Sequence, residues 1–273
     1  MLMQRVITAL ILIPPVVAAV WFLPTAAIAV ALALLMLIGA WEWGQLMRLR
    51  AVPLRMGYVA VVAVLLLVLY GLREHADLQR GMLGLALLWW LLAFLWVLRY
   101  PAGLRTNQPR PWLVAGIGLL LLGPAFLALV LLHARLQGPL WILFLLALIW
   151  AADTGAYFSG RSFGHHKLAV RVSPGKTWEG AAGGLLLSAT VAALAGHWLF
   201  DLDGRQLLLF VLLCAGVVVF SIVGDLTESM FKRHAGVKDS GTLFPGHGGV
   251  LDRLDSLFAA APLFLGGLLV MGL

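Results

Sequence analysis

Charge is scarce in this 273-residue chain: Asp, Glu, Lys and Arg make up 11% of it, against 62% hydrophobic types. A soluble domain carries about 25% charged and about 45–50% apolar residues. A soluble globular fold, a disordered chain and a coiled coil are therefore excluded. Cysteine is rarer still. Cys214 is the single one and lies in an apolar run, so no intrachain disulfide or thiolate-based metal site is possible, and it reads as a small buried hydrophobe. Acidic residues number 12 against 19 Lys and Arg, a net charge of +7. In a soluble protein that excess would suggest nucleic acid. In a chain this apolar it is what the cytoplasmic loops of a membrane protein carry, and no nucleic-acid partner is expected. Internal repeats, low-complexity linkers and a small-residue cleavage site after the first apolar run are all missing. The basic start, Met1 to Arg5, followed by two apolar runs, reads as an uncleaved first span.

Long apolar runs are what the chain has in abundance. A spanning helix needs about 20 mostly apolar residues. Nine runs qualify: 5–23, 26–46, 57–72, 81–98, 112–133, 139–158, 180–200, 206–225 and 251–272. The expected fold is all-α, a polytopic helical bundle with a cytoplasmic N-terminus. Pro14-Pro15 implies a kink in the first span, and Leu23-Pro24-Thr25 a tight hairpin between the first two. With nine spans, fifteen of the 19 Lys and Arg fall on the cytoplasmic side, leaving Arg73, Arg80, Arg135 and Arg205 opposite. That bias supports both the count and the orientation.

The acids are distributed differently. Glu74, Asp77, Asp201 and Asp203 fall in outer loops, and Glu42 lies within the second span. The other seven, Asp153, Glu179, Asp225, Glu228, Asp239, Asp252 and Asp255, gather at the cytoplasmic ends of spans six to nine. Ionisable groups at membrane depth are costly and mark a functional site by default. Residues 1–138 are thus expected to be scaffold. Residues 139–273 are expected to carry the chemistry, with cytoplasmic loops at 159–179 and 226–250.

Two constellations stand out in that half. In the first, Asp252 and Asp255 are three apart and share a helix face, as do Asp225, Glu228 and Ser229. Two helix ends joined by one loop can bring these carboxylates together. An oxygen-rich cluster suits Mg²⁺, which also binds substrate phosphates, and the lack of thiolates disfavours zinc. Lys232, Arg233, Lys238 and Arg253 surround the acids and are suited to phosphate. Four glycines between Gly241 and Gly249 let backbone N–H groups approach an anion, and His247 among them is a candidate phosphate contact or proton shuttle. Glu228 and Lys232 alone would be an ordinary i,i+4 helix pair. Together these groups are the equipment of phosphoryl or nucleotidyl transfer.

The second constellation is Ala152-Asp153-Thr-Gly-Ala-Tyr157-Phe-Ser-Gly160-Arg161-Ser-Phe-Gly164, followed by Ser173-Pro-Gly-Lys176-Thr177-Trp-Glu179-Gly180. Gly175-Lys176-Thr177 looks like half a P-loop, but Val170 stands where the first glycine would be, and a P-loop fold is rejected. The segment reads as a turn before a helix with Glu179 in its first turn. A salt bridge to a nearby Lys or Arg is the ordinary explanation for Asp153.

The run from Ser229-Met-Phe-Lys-Arg through Lys238-Asp239 to Pro245-Gly-His-Gly-Gly-Val-Leu-Asp252-Arg-Leu-Asp255 closely resembles the signature of the phosphatidate cytidylyltransferases, or CDP-diacylglycerol synthases. Asp153-Thr-Gly-Ala-Tyr and Ser173-Pro-Gly-Lys-Thr-Trp-Glu-Gly resemble further segments of that family. The resemblance implies a reaction of CTP with phosphatidic acid that gives CDP-diacylglycerol and pyrophosphate, the lipid phosphate attacking the α-phosphorus directly. It implies Mg²⁺ held by Asp225 and Asp252, leaving a second metal or a monovalent cation open. Asp255, Asp239 and Lys238 would complete the catalytic set. Lys176, Lys232, Arg233 and Arg253 would hold phosphates, and Ser173 and Thr177 would add hydroxyl contacts. Asp153, Ser229, His247, Gly248 and Gly249 would line the same substrate site. A homodimer is implied too, and the Arg-, Ala- and Leu-rich composition fits a bacterial inner membrane with the site facing the cytoplasm.

Three other readings predict different features. A secondary transporter would have inverted repeats and broken mid-membrane spans, whereas these acids cluster at one face. A pure anchor gives no reason for acids and bases to converge. A CTP-dependent lipid kinase is set apart by whether the lipid product carries cytidine.

Overall fold

The computed structural model describes residues 2–99, 110–243 and 248–273, with the backbone alone at 2–10 and 12. Among these residues the chain is a bundle of long helices with one short hairpin. The first five helices are α1 (Leu2–Phe22), α2 (Thr25–Leu46), α3 (Val52–Gly71), α4 (Ala76–Arg99) and α5 (Pro111–Ala134). Then come α6 (Gly138–Phe163), the hairpin β1 (Lys167–Ala169) and β2 (Ser173–Thr177), α7 (Trp178–Trp198), α8 (Gly204–Ala235) and α9 (Leu251–Met271). Eight of the described helices, α2 to α9, are long and apolar enough to cross a membrane, and Ile13–Phe22 of α1 is a shorter apolar stretch. The protein is a polytopic all-α membrane protein, as its hydropathy implies.

Proline sets several boundaries. It stands in the first turn of α3, α5 and α6, where its missing N–H costs nothing. Pro24 caps α2 and closes the two-residue link from α1. Pro14-Pro15 lies inside α1, which continues through it as one helix.

Burial sorts the helices. On α3 the buried residues Tyr58, Val62, Leu66 and Leu69 form one stripe, as do Ala86, Trp89, Trp90 and Ala93 on α4. Their other faces expose Val61, Leu67, Leu88 and Leu92, as lipid-facing helices do. α5 is buried on most faces and packs against α2, α3, α4, α6 and α9, so it is the central post.

The four helices α6 to α9 alternate in direction. One end of this group is sealed by aromatics, with Trp141 stacked on Phe200 at 3.7 Å and Phe144, Phe210 and Phe264 around them. The other end gathers the C-termini of α6 and α8 and the N-termini of α7 and α9.

Four helices outrun the spans expected for them, α3 and α4 at their starts and α6 and α8 at their ends. α6 reaches Phe163 and α8 reaches Ala235, so the first residues of the expected loops 159–179 and 226–250 are helical. The reason on α8 is that its end is packed all round: Thr227 to Lys232 are all buried, and polar side chains can bury against partners where hydropathy alone sees a loop. At 32 residues α8 is about 48 Å long, well beyond a hydrocarbon core of about 30 Å. It stops at Gly236, whose φ of 77° is the left-handed conformation glycine adopts readily, with Val237 N–H donating back to the Lys232 carbonyl. Ser173–Thr177, expected as a turn, is instead β2, paired antiparallel to β1 with Lys167 opposite Thr177.

Candidate active site

The last turns of α8 present Asp225, Glu228, Ser229 and Lys232 at i, i+3, i+4 and i+7, one face of the helix. That face meets the first turns of α9, which carry Asp252 and Asp255. The two helices approach closely at Gly224, where an added Cβ would lie 2.5 Å from the Asp255 carbonyl oxygen.

The junction is a network of ion pairs. Lys232 Nζ is 2.6 Å from Asp252 Oδ1 and 3.4 Å from Glu228 Oε1, with all three side chains buried. The other Asp252 oxygen, Oδ2, accepts from Ser240 N–H at 2.9 Å and Gly249 N–H at 2.8 Å, with Ser240 Oγ also 2.9 Å away. Gly248, at φ 80°, makes the turn that brings Gly249 there. A second pair lies alongside. Lys176 Nζ, from β2, is 2.6 Å from Asp225 Oδ2, and Ser229 Oγ donates to Asp225 Oδ1 at 3.2 Å. Asp255 sits in the electrostatic field of both Asp225 and Glu228 and accepts from the Ser256 N–H at 2.7 Å. No donor with hydrogen-bonding geometry reaches either buried Glu228 oxygen.

A cavity of about 410 Å³ opens beside this network, between α6, α7 and β2. Asp153, Tyr157, Arg161, Lys176, Thr177, Ser221 and Ser256 contribute its polar lining. Small residues make the wall. The α7 stripe Gly180, Gly184, Ser188 and Ala192 lets α6 approach so closely that a Cβ on Gly184 would lie 2.7 Å from the Ala152 carbonyl oxygen. Thr177 caps α7, its Oγ1 accepting the Gly180 N–H at 3.1 Å. Lys176 belongs to both regions, lining the cavity while its ammonium pairs with Asp225.

The expected site residues thus fall into groups. Asp225, Ser229, Lys232, Asp252 and Asp255 are brought together, with Lys176 bridging them to the cavity that holds Asp153 and Thr177. Ser173 begins β2, half-buried. Arg233 turns to the hairpin, its Nε donating to the Val172 carbonyl at 3.3 Å. Lys238, Asp239 and Arg253 are exposed around the rim. His247 lies outside the described residues.

Four residues near the site have no role assigned from sequence. Tyr157 and Arg161, joined by a 2.9 Å hydrogen bond, line the cavity one and two helical turns from Asp153. Ser240 gives its N–H to Asp252, and its Oγ lies 2.9 Å from a carboxylate oxygen of both Asp252 and Glu42, with one proton to donate to either. Glu42, in the half read as scaffold, accepts from the N–H groups of Val250 and Leu251, each at 2.9 Å, and lies 2.9 Å from Ser240 Oγ. Its one sequence signal was being the only acid inside the first five spans.

Comparison with known proteins bears on the whole chain. The model of the cytidylyltransferase family matches residues 3–270. The chain belongs to the cytidylyltransferase family. A protein of Pseudomonas aeruginosa named phosphatidate cytidylyltransferase is 48% identical over 268 residues, 97% of this chain and 96% of that one. One of the same name from Haemophilus influenzae is 41% identical over 281 aligned residues, 97% of each chain. A Staphylococcus epidermidis namesake is 47% identical over 131 residues, 48% of this chain and 50% of the relative.

Proposed function

We propose that this protein joins CTP to phosphatidic acid, giving CDP-diacylglycerol and pyrophosphate. The observation that carries the reading is end-to-end similarity to two proteins of that name, in a chain whose lysine–carboxylate network borders a polar cavity at one end of the bundle.

The chemistry is a direct displacement. An oxygen of the lipid phosphate bonds to the α-phosphorus of CTP, and the bond from that phosphorus to the β-phosphate oxygen breaks. The electron pair leaves with pyrophosphate. A phosphate monoester is already ionised near neutral pH, so no strong base and no protein nucleophile is required. The barrier is the approach of two anions, and fixed positive groups lower it. Lys176 and Arg161 line the cavity where phosphates would enter, and Lys232 sits behind them in the network. Each lysine is held by an aspartate, so its ammonium is aimed before substrate arrives.

The donors present fit Mg²⁺. They are carboxyl oxygens, and the buried Glu228 carboxyl has only the Lys232 ammonium at 3.4 Å and the neighbouring Asp255 carboxyl beside it. Among the described residues no three acidic, His or Cys side chains enclose a metal position. That is compatible with Mg²⁺, which is usually held by one or two carboxylates plus substrate phosphates. Asp225 and Asp252 are the proposed ligands, with Glu228 and Asp255 adjacent. Mg²⁺ would supply charge neutralisation on the phosphates. A bacterial inner-membrane location with the site facing the cytoplasm is supported by the loop charge bias and the bacterial relatives. A homodimer belongs to the same reading on family resemblance alone.

The test uses purified protein in detergent with phosphatidic acid, Mg²⁺ and CTP labelled at either the α- or the γ-phosphorus. α-Label in the lipid, lost with Asp252→Asn and on chelation, is the expected result. γ-Label in the lipid would identify a CTP-dependent kinase instead.

A further inference from the structure

The proposed chemistry leaves one buried carboxylate unused. Glu42 belongs to α2, about 200 positions from its partners in the chain, and is 6% exposed. Its Oε1 accepts the Val250 N–H, and its Oε2 accepts the Leu251 N–H. The two N–H groups open α9, where helix N-terminal donors and the helix dipole favour an anion. Ser240 Oγ lies 2.9 Å from both Glu42 Oε2 and Asp252 Oδ2. One hydroxyl, with one proton to donate to either, therefore stands between the α2 carboxylate and the aspartate that holds Lys232, while the Ser240 N–H is donated to that aspartate alone. The loop is shaped around it: a side chain on Gly241 or Gly249 would collide with the Glu42 carboxylate.

α2 itself is firmly seated at this height. The neighbouring Trp43 donates from Nε1 to the Val114 carbonyl of α5 at 2.8 Å, and its ring packs 5.2 Å from Phe231, which precedes Lys232 on α8. Glu42 is thus a fixed point on a rigid element, as a group that orients others must be.

We propose that Glu42 is a positioning residue for the reaction: from α2 it fixes Ser240 and the start of α9, and through them sets the Asp252–Lys232 pair. It touches neither substrate nor reacting atoms in this assignment. The inference rests on the cytidylyltransfer reading above. A carboxylate that merely glued α2 to α9 would affect the folded fraction and leave turnover per folded molecule unchanged. A positioning group changes turnover in the folded enzyme, because a displacement of about 1 Å can cost about a hundredfold in rate.

The experiment compares wild type, Glu42→Gln, Ser240→Ala and the double variant, each purified in detergent and normalised to folded protein. Steady-state formation of CDP-diacylglycerol is measured against CTP and phosphatidic acid. The expected result is a kcat loss of roughly tenfold to a hundredfold for Glu42→Gln, with both KM values within about threefold of wild type. Ser240→Ala, which keeps the Val250 and Leu251 contacts, should lose less. The double variant should be no more than about twofold slower than Glu42→Gln alone, because the two residues act in series. Unchanged kcat per folded molecule in both single variants would overturn the inference. So would losses that multiply in the double variant, which would mean independent roles. Absence of product from wild type would defeat the cytidylyltransfer reading and this inference with it, whereas normal wild-type turnover with unimpaired variants would defeat the inference alone.

Discussion

The two polar regions at the charged end of α6 to α9 are built on opposite terms. At the α8–α9 junction, Lys232 and Asp252 have side chains only 8% and 6% exposed, and every oxygen of Asp252 has a partner inside the protein. In the cavity region, Lys176 and Asp225 are 25% and 32% exposed, and the lining groups of α6 and α7 face open space. The first arrangement spends its hydrogen bonds on itself. The second keeps its donors available. A saturated network has to release an internal partner to take a ligand, as Asp252 would from Lys232 or its N–H donors to hold Mg²⁺, but it keeps its charges in place, while an open pocket needs that charge placed for it. Lys176 ties the two together, since it lines the cavity and is anchored on the α8 face.

If that division is right, the largest effect should come from cutting the closed network. Lys232→Met leaves Asp252 buried with its amide donors but without its cation. Removing one partner of a buried pair costs about 3–5 kcal/mol, so the thermal midpoint in detergent should fall sharply and CDP-diacylglycerol synthesis should be lost. A midpoint within a degree of wild type would show that the pair is not structural. Lys176→Ala comes next and should behave differently. Its pair is partly exposed and adds little to stability, so the midpoint should hold to within a few degrees. Turnover should still fall by roughly a hundredfold, with a raised KM for CTP, as expected for loss of a phosphate-binding charge. A large drop in stability with little change in turnover would reverse the assignment of the two regions.

The division also explains what could be read in the sequence. Helix count, polarity of the ends and the identity of the charged cluster follow from hydropathy and from i,i+3 and i,i+4 spacings, which are local. Asp225, Glu228, Ser229 and Lys232 share a face because a helix has 3.6 residues per turn, whatever surrounds it. Pairings across elements are a different matter. Nothing local says that Asp252 takes Lys232 while Asp225 takes a lysine from β2. Glu42 was the hardest to place, because its partners lie 198 to 209 residues away and two of them are backbone N–H groups, which carry no side-chain signature. The glycines of the 241–249 segment were legible as close-approach positions. Gly249, however, spends its N–H on Asp252, so the anion its backbone approaches is one the protein carries itself.

The finest distinction between the two regions falls on Thr177, which has a share in both purposes. Its Oγ1 accepts the Gly180 N–H and so caps α7, while its side chain also lines the cavity. An accepting hydroxyl keeps its own proton and can donate it to a phosphate oxygen at the same time. Thr177→Ala removes both functions. It should lower stability by about 1 kcal/mol, the usual cost of a lost N-cap, and raise the KM for CTP a fewfold. Thr177→Ser retains the oxygen and should restore both values nearly to wild type. If Thr177→Ser restores the thermal midpoint but not the KM, the methyl group is shaping the pocket. If Thr177→Ala shifts stability alone, the hydroxyl is wholly engaged in the cap and the substrate is held by Lys176 and its neighbours.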